Sequence, residues 1–168
     1  AENVLPRDDE VDRLRFLLLR QLNLALSDAS LLRELNLNAS DCVNYAAIIR
    51  AIERIADKLS KIARNYSQIS SKTKNNALFK KMIKLAEDAF AQYELAYESF
   101  MEGNTNDANN VIQERKNLML KRYALEKELM KLTNAPFQYS IIIDTIAGIA
   151  DDSSEIAVTT INQSTENK

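Results

Sequence analysis

Two pairs of carboxylates stand four residues apart in this chain: Asp8 with Asp12, and Glu53 with Asp57. Asp9 and Glu10 adjoin the first pair. On a helix, residues four apart lie on one face, where like charges cost a few tenths of a kcal/mol. If the two helices that carry these pairs lay side by side, four or more carboxylates would converge at their shared edge. Such a cluster, with no imidazole or thiolate nearby, is an all-oxygen site for a hard cation, and a cation would relieve its repulsion. It need not be catalytic. Ordinary surface ion pairs account for the same residues, because Arg50 lies three before Glu53 and Lys61 four after Asp57, and acids are expected near a helix start.

Other chemistries are excluded by composition. The chain has no His, so Ser-His-Asp and Cys-His catalysis, HExxH zinc sites and the Glu-x-x-His ligands of di-iron bundles are all absent. A single cysteine, Cys42, rules out an internal disulfide and fits a reducing cytosol. With 22 basic and 24 acidic residues the net charge is −2, which argues against direct nucleic-acid binding by this segment. The stretch FLLLRQLNLAL is too short for a membrane span and carries Arg20, and the first ten residues lack the features of a signal peptide. A cytoplasmic protein is expected, and a start at Ala rather than Met fits a trimmed chain.

Hydrophobic residues make up 46% of the 168 residues, with 2 Gly and 2 Pro, a composition that predicts an all-α fold. Punctuation divides the chain into five long helices, at about 8–27, 41–71, 76–102, 106–133 and 136–162. The segment 27–40 reads as a connector with a short apolar clasp. Ser40 and Asn134 are the expected N-caps of the second and fifth helices, and Gly103 ends the third. The second helix has the clearest apolar seam, with Ile48, Ile52, Ile55, Leu59, Ile62, Tyr66 and Ile69 at spacings of three and four. On that wheel Glu53 and Asp57 fall about 140° and 180° from the seam, on the outer face.

An internal repeat ties the second helix to the fifth. IIRAIERIADKLSKIA at 48–63 recurs as IIDTIAGIADDSSEIA at 142–157, with every isoleucine of the first copy kept. Asp57 recurs as Asp151, but Ala147 replaces Glu53 and Ser153 interrupts the seam. Asp144, Asp151 and Glu155 form an acidic row in the second copy, which reads as solvated surface before it reads as a metal site.

RDDEVDRL at 7–14, taken with RAIERIADKLSKIA at 50–63, resembles the PhoU family of phosphate-uptake regulators, and PRDDEVDRLRFLLLRQL resembles its archaeal members. The resemblance is strong at 7–26 and 45–66 and weaker over 76–161. It implies tandem three-helix repeats: repeat one at 7–71 without its first helix, repeat two at 76–162, and a polar tail at 163–168. It also implies a non-enzymatic cytosolic regulator of phosphate import and of the phosphate-starvation response. Such a regulator would act through a phosphate ABC transporter component or a signalling partner protein. Family members hold multinuclear metal clusters on E/D-x-x-x-D motifs. Carried over, those ligands are Asp8, Asp12, Glu53 and Asp57, with Asp9, Asp151, Asp144 and Glu155 as weaker candidates. The resemblance points to iron, with manganese, magnesium and zinc also compatible. Some archaeal relatives carry an AbrB-like DNA-binding domain upstream. The missing helix leaves an apolar groove on repeat one that favours a homodimer. The alternative is a purely structural helical dimerisation module of a transcriptional regulator, with no metal.

Overall fold

A computed structural model describes residues 5–70 and 77–166, apart from the side chains of Leu5, Pro6, Asp8 and Glu166. It is all-α: α1 (Leu5–Ser27), α2 (Ala29–Glu34), α3 (Ala39–Ser67), α4 (Ala77–Glu102), α5 (Thr105–Leu129) and α6 (Phe137–Glu166), with no strand among the described residues. The five long helices are those expected from the sequence, and α2 is the clasp in the connector.

Helix ends follow local chemistry. Pro6 falls in the first turn of α1, where its missing N–H costs nothing. Helix α3 begins earlier than expected because Asn38, not Ser40, is its N-cap. Asn38 Oδ1 accepts from the Asp41 N–H at 2.9 Å while Asp41 Oδ2 accepts from the Asn38 N–H at 2.9 Å, which closes a capping box. Asn36, at φ 53°, turns the chain into that box. Helix α4 ends at Gly103, at φ 65°, a left-handed conformation that glycine adopts without strain. The Asn104 N–H then donates back to the Ser99 carbonyl at 2.8 Å, and the Asn104 side chain caps α5. Asn134 lies in a turn rather than at the α6 cap; Pro136 immediately precedes that helix. Helix α6 runs to Glu166, so the first residues of the expected polar tail are helical.

Helix α6 is the hub. It packs against α3, α4 and α5, while α4 and α5 also pack on each other. Helix α3 carries α1 on its far side, and α2 clasps α1. The two copies of the internal repeat therefore meet different surroundings. On α6, Ile146, Ala150 and Ser153 are 1%, 2% and 0% exposed. Their counterparts on α3, Ile52 and Ala56, are only half-buried, and Leu59 is exposed. The physical difference lies in the neighbours: α6 packs along three helices, whereas α3 packs along α1 and α6 and meets α4 mainly through the Tyr45–Phe100 and Tyr66–Phe79 ring pairs.

Small side chains let three helices approach α6. Ala147, Ala150 and Ala157 are buried, and the hydroxyls of Ser153 and Thr160 donate to the carbonyls of Ile149 and Ile156, at 2.8 and 3.1 Å. A buried hydroxyl that bonds its own helix leaves no unmet donor, so a serine can stand in the seam. Helix α5 contributes Val111, Leu118 and Leu125 to the core, and Leu132 lies beyond its end and is exposed.

Helix α1 is covered least. Leu14, Phe16, Leu17 and Leu24 are between 51% and 62% exposed. An apolar groove of about 360 Å³, lined by Leu18, Leu22, Leu37, Ile49, Tyr97 and Met101, runs beside it toward the end of α4.

Candidate metal centre

Helix α1 packs along the flank of α3 that carries Glu53, and this contact sets the geometry of the candidate site. Glu53 is consequently half-buried, with a side chain 20% exposed, rather than turned wholly to solvent. The helical wheel gave its angle but not the neighbour on that side. Between the two helices lies Arg15. Its Nε is 3.7 Å from Asp12 Oδ1 and 3.5 Å from Glu53 Oε1. Asp12 and Glu53 therefore approach one cationic group from two helices. Arg15 is not the partner the sequence offered, which was Arg50 on the same helix as Glu53.

Of the remaining candidates, Asp57 is exposed one turn beyond Glu53. Asp9 is exposed on α1. The side chain of Asp8 lies outside the described residues. Among the described residues, no three acidic or thiol side chains stand close enough together to hold an ion. The donors that do converge are carboxylate oxygens already drawn to a positive charge. Carboxylate oxygens are the ligand type of a hard cation, but of the described candidates only Asp12 and Glu53 are drawn together, around Arg15.

The acids of the second copy have a different fate. Asp144 and Asp151 are reached from α5, by Arg122 at 2.8 Å and Arg115 at 2.7 Å, while Glu155 is bound by Arg54 from α3. The acidic row is thus tied into ion pairs between helices. Its central position, Ala147, is 2% exposed in the core and offers no donor.

Sequence reasoning missed the most buried charge among the described residues. The Asp152 side chain, 8% exposed, accepts from Arg54 Nε at 2.8 Å and from Lys58 Nζ at 2.6 Å, joining α6 to α3. Burial alone would lower the Arg54 pKa, but the hydrogen bond and charge of Asp152, with Glu155 and Glu53, raise it, so the guanidinium stays charged. Lys58 reaches Asp152 by lying across Gly148, where an added Cβ would meet Lys58 Cε at 2.6 Å. A side chain at position 148 would require the end of Lys58 to shift away from it. A signal was present: Asp152 falls only about 75° from the isoleucine line of α6, toward the core, while its neighbour Asp151 falls on the opposite side.

No helix among the described residues is long and apolar enough to cross a membrane. No curated protein and no solved structure matches the chain. Residues 1–66 match the family model described as the PhoU domain, so this part of the chain, which holds both the acidic start of α1 and the Glu53–Asp57 turn of α3, is similar to that domain.

Proposed function

We propose that this protein is a non-enzymatic, metal-binding regulator of phosphate uptake and the phosphate-starvation response, working through protein contacts. The family acts in the regulation of phosphate transport, which supports the coarse role. The observation that carries the metal reading is the approach of Asp12 and Glu53, from separate helices, to one buried cationic nitrogen. Asp8, Asp12, Glu53 and Asp57 supply the oxygens for a multinuclear cluster of iron, or of manganese, magnesium or zinc. We also read residues 7–71 and 76–162 as two repeats, with metal held by the first and arginine pairs in place of metal in the second.

The test is elemental analysis after metal loading, on the wild type and on Glu53→Ala combined with Asp57→Ala. Wild type should retain metal after desalting, and the double variant should lose at least about nine-tenths of it, because a site stripped of two anionic ligands loses most of its affinity. Equal content in the two proteins defeats the assignment. A second reading, a structural helical module without metal, draws support from Arg15 itself, which already supplies a positive charge between the two acids. It predicts no retained metal and a melting temperature indifferent to chelator.

The partner is a phosphate ABC transporter component or a signalling protein in the cytoplasm, and a second copy of the chain is met through α1. Leu14, Leu17 and Leu24 form a stripe of one helix face, each at least half exposed. Light scattering after size-exclusion chromatography should give a dimer for the wild type and a monomer for Leu17→Lys. A monomeric wild type at about 50 μM would remove the dimer from this proposal, since a stable symmetric interface is populated at that concentration.

A further inference from the structure

Helices α1 and α4 both leave a row of apolar side chains uncovered. On α1, Leu14, Leu17, Leu18 and Leu24 are between 42% and 58% exposed. On α4, Ile83, Phe90, Tyr97 and Met101 are between 39% and 64% exposed, and their spacing keeps them within about 40° of one line. The groove described above joins the two rows: Leu18 lines it from α1, and Tyr97 and Met101 from α4. With each side chain about half exposed, these residues present roughly 800 Å² of apolar surface. That exceeds what a monomer commonly leaves bare and equals about one side of a stable dimer.

Ring pairs and one ion pair fix the register of the two rows. Tyr45 meets Phe100 at 5.7 Å and Tyr66 meets Phe79 at 6.0 Å, so α3 and α4 are antiparallel, with Glu53 level with Gln92. Arg15 approaches Glu53, while Leu22 shares the groove with Tyr45, so α1 runs antiparallel to α3 and parallel to α4. A two-fold axis parallel to the helices would keep every residue at its level and lay α1 of a second copy on α4 of the first. Leu14 would then meet Phe90, Leu17 the gap between Phe90 and Tyr97, and Leu24 would meet Met101.

The charges beside these rows are complementary in the same register. On the wheel Arg13 and Arg20 border Leu17 and Leu24, on the edge of α1 away from the groove, and Glu94 and Glu98 border Met101 on the corresponding edge of α4. Arg13 comes level with the stretch between Glu87 and Glu94, and Arg20 with Tyr97, next to Glu98. All four of Arg13, Arg20, Glu94 and Glu98 are exposed, and none is in an ion pair among the described residues. Glu10 comes level with Glu87, so the opposite charges meet only in the half of the rows that ends at Met101.

We propose that a second copy of this chain docks across the groove, with each α1 lying on the other copy's α4 about a two-fold axis parallel to the helices. The inference rests on the dimer read above through α1, and it names the surface that receives that helix. Two identical contacts close the assembly, with apolar side chains at its centre and ion pairs at its rim.

The experiment is sedimentation equilibrium of the full chain at about 0.1 M salt, where rim charges are still felt. Three proteins are compared: wild type, Arg13→Glu with Arg20→Glu, and Glu94→Arg with Glu98→Arg. Each reversed protein alone should dimerise at least about tenfold more weakly than wild type, because like charges then face each other in both contacts. Mixed in equal amounts, the two should form a heterodimer within about threefold of wild-type affinity, since both contacts again pair opposite charges. If Glu94→Arg with Glu98→Arg dimerises as wild type does, α4 lies outside the interface, and this inference falls while the dimer through α1 stands. A mixture no tighter than its separate components overturns it as well. A wild type that is monomeric at about 50 μM removes both readings. Sedimentation of that monomer with vesicles of anionic phospholipid would assign the apolar rows to a lipid surface instead. Should a reversal unfold the chain, as circular dichroism would show, Glu94→Gln with Glu98→Gln takes its place. It should weaken the dimer severalfold, and an unchanged dimer overturns the inference equally.

Discussion

Asp152→Ala is expected to destabilise the protein by about 2–3 kcal/mol, lowering its melting temperature by roughly 5–10 °C. The side chain is 8% exposed and is the common acceptor for Arg54 and Lys58, so its removal leaves two cations at a buried junction without their acid. Breaking a fully buried pair costs about 3–5 kcal/mol; here Arg54 and Lys58 are 35% and 25% exposed and can turn toward water, which reduces the loss. Arg54 also keeps Glu155. Combining Asp152→Ala with Lys58→Met removes one stranded charge and should recover about 1 kcal/mol of the loss. Thermal unfolding followed by circular dichroism measures all three proteins. A single variant that melts within a degree of wild type would show that Asp152 does not fasten α3 to α6.

The second large effect separates the two copies of the repeat. Ile146→Ala should cost about 3–4 kcal/mol, because the side chain is 1% exposed among three helices that cannot all close on the void. Ile52→Ala, the same change in the same motif, should cost about 1–1.5 kcal/mol, because the half-buried side chain leaves less cavity. Urea unfolding of both variants supplies the numbers. A loss at Ile52 equal to that at Ile146 would mean that the flank of α3 is covered in solution by something beyond this chain.

Much of the architecture was legible from residue spacing. The isoleucines of 48–63 and 142–157 predict two amphipathic helices, and α3 and α6 carry them on buried faces. Periodicity reports which face is apolar, but not how many neighbours surround it. Leu59 belongs to the apolar pattern of α3 and is exposed, while Ser153, which breaks the pattern of α6, is fully buried. The same limit governs the site. The wheel placed Glu53 on the outer flank of α3, and only the packing of α1 made that flank an interface and put Arg15 on it. Asp151 and Asp152 are adjacent and chemically identical in the sequence. One lies at the surface against Arg115 and the other in a junction with Arg54 and Lys58, because successive residues on a helix point about 100° apart.

The central position of α6 bears on how the chain acquires its shape during synthesis. Helices α3, α4 and α5 all bury their apolar faces against the segment that follows them in translation order. Until Phe137 and the residues after it have left the ribosome, the faces of α3, α4 and α5 that pack on α6 lack that partner. Assembly is therefore a late event, and a nascent chain halted before α6 would expose those faces to chaperones and proteases.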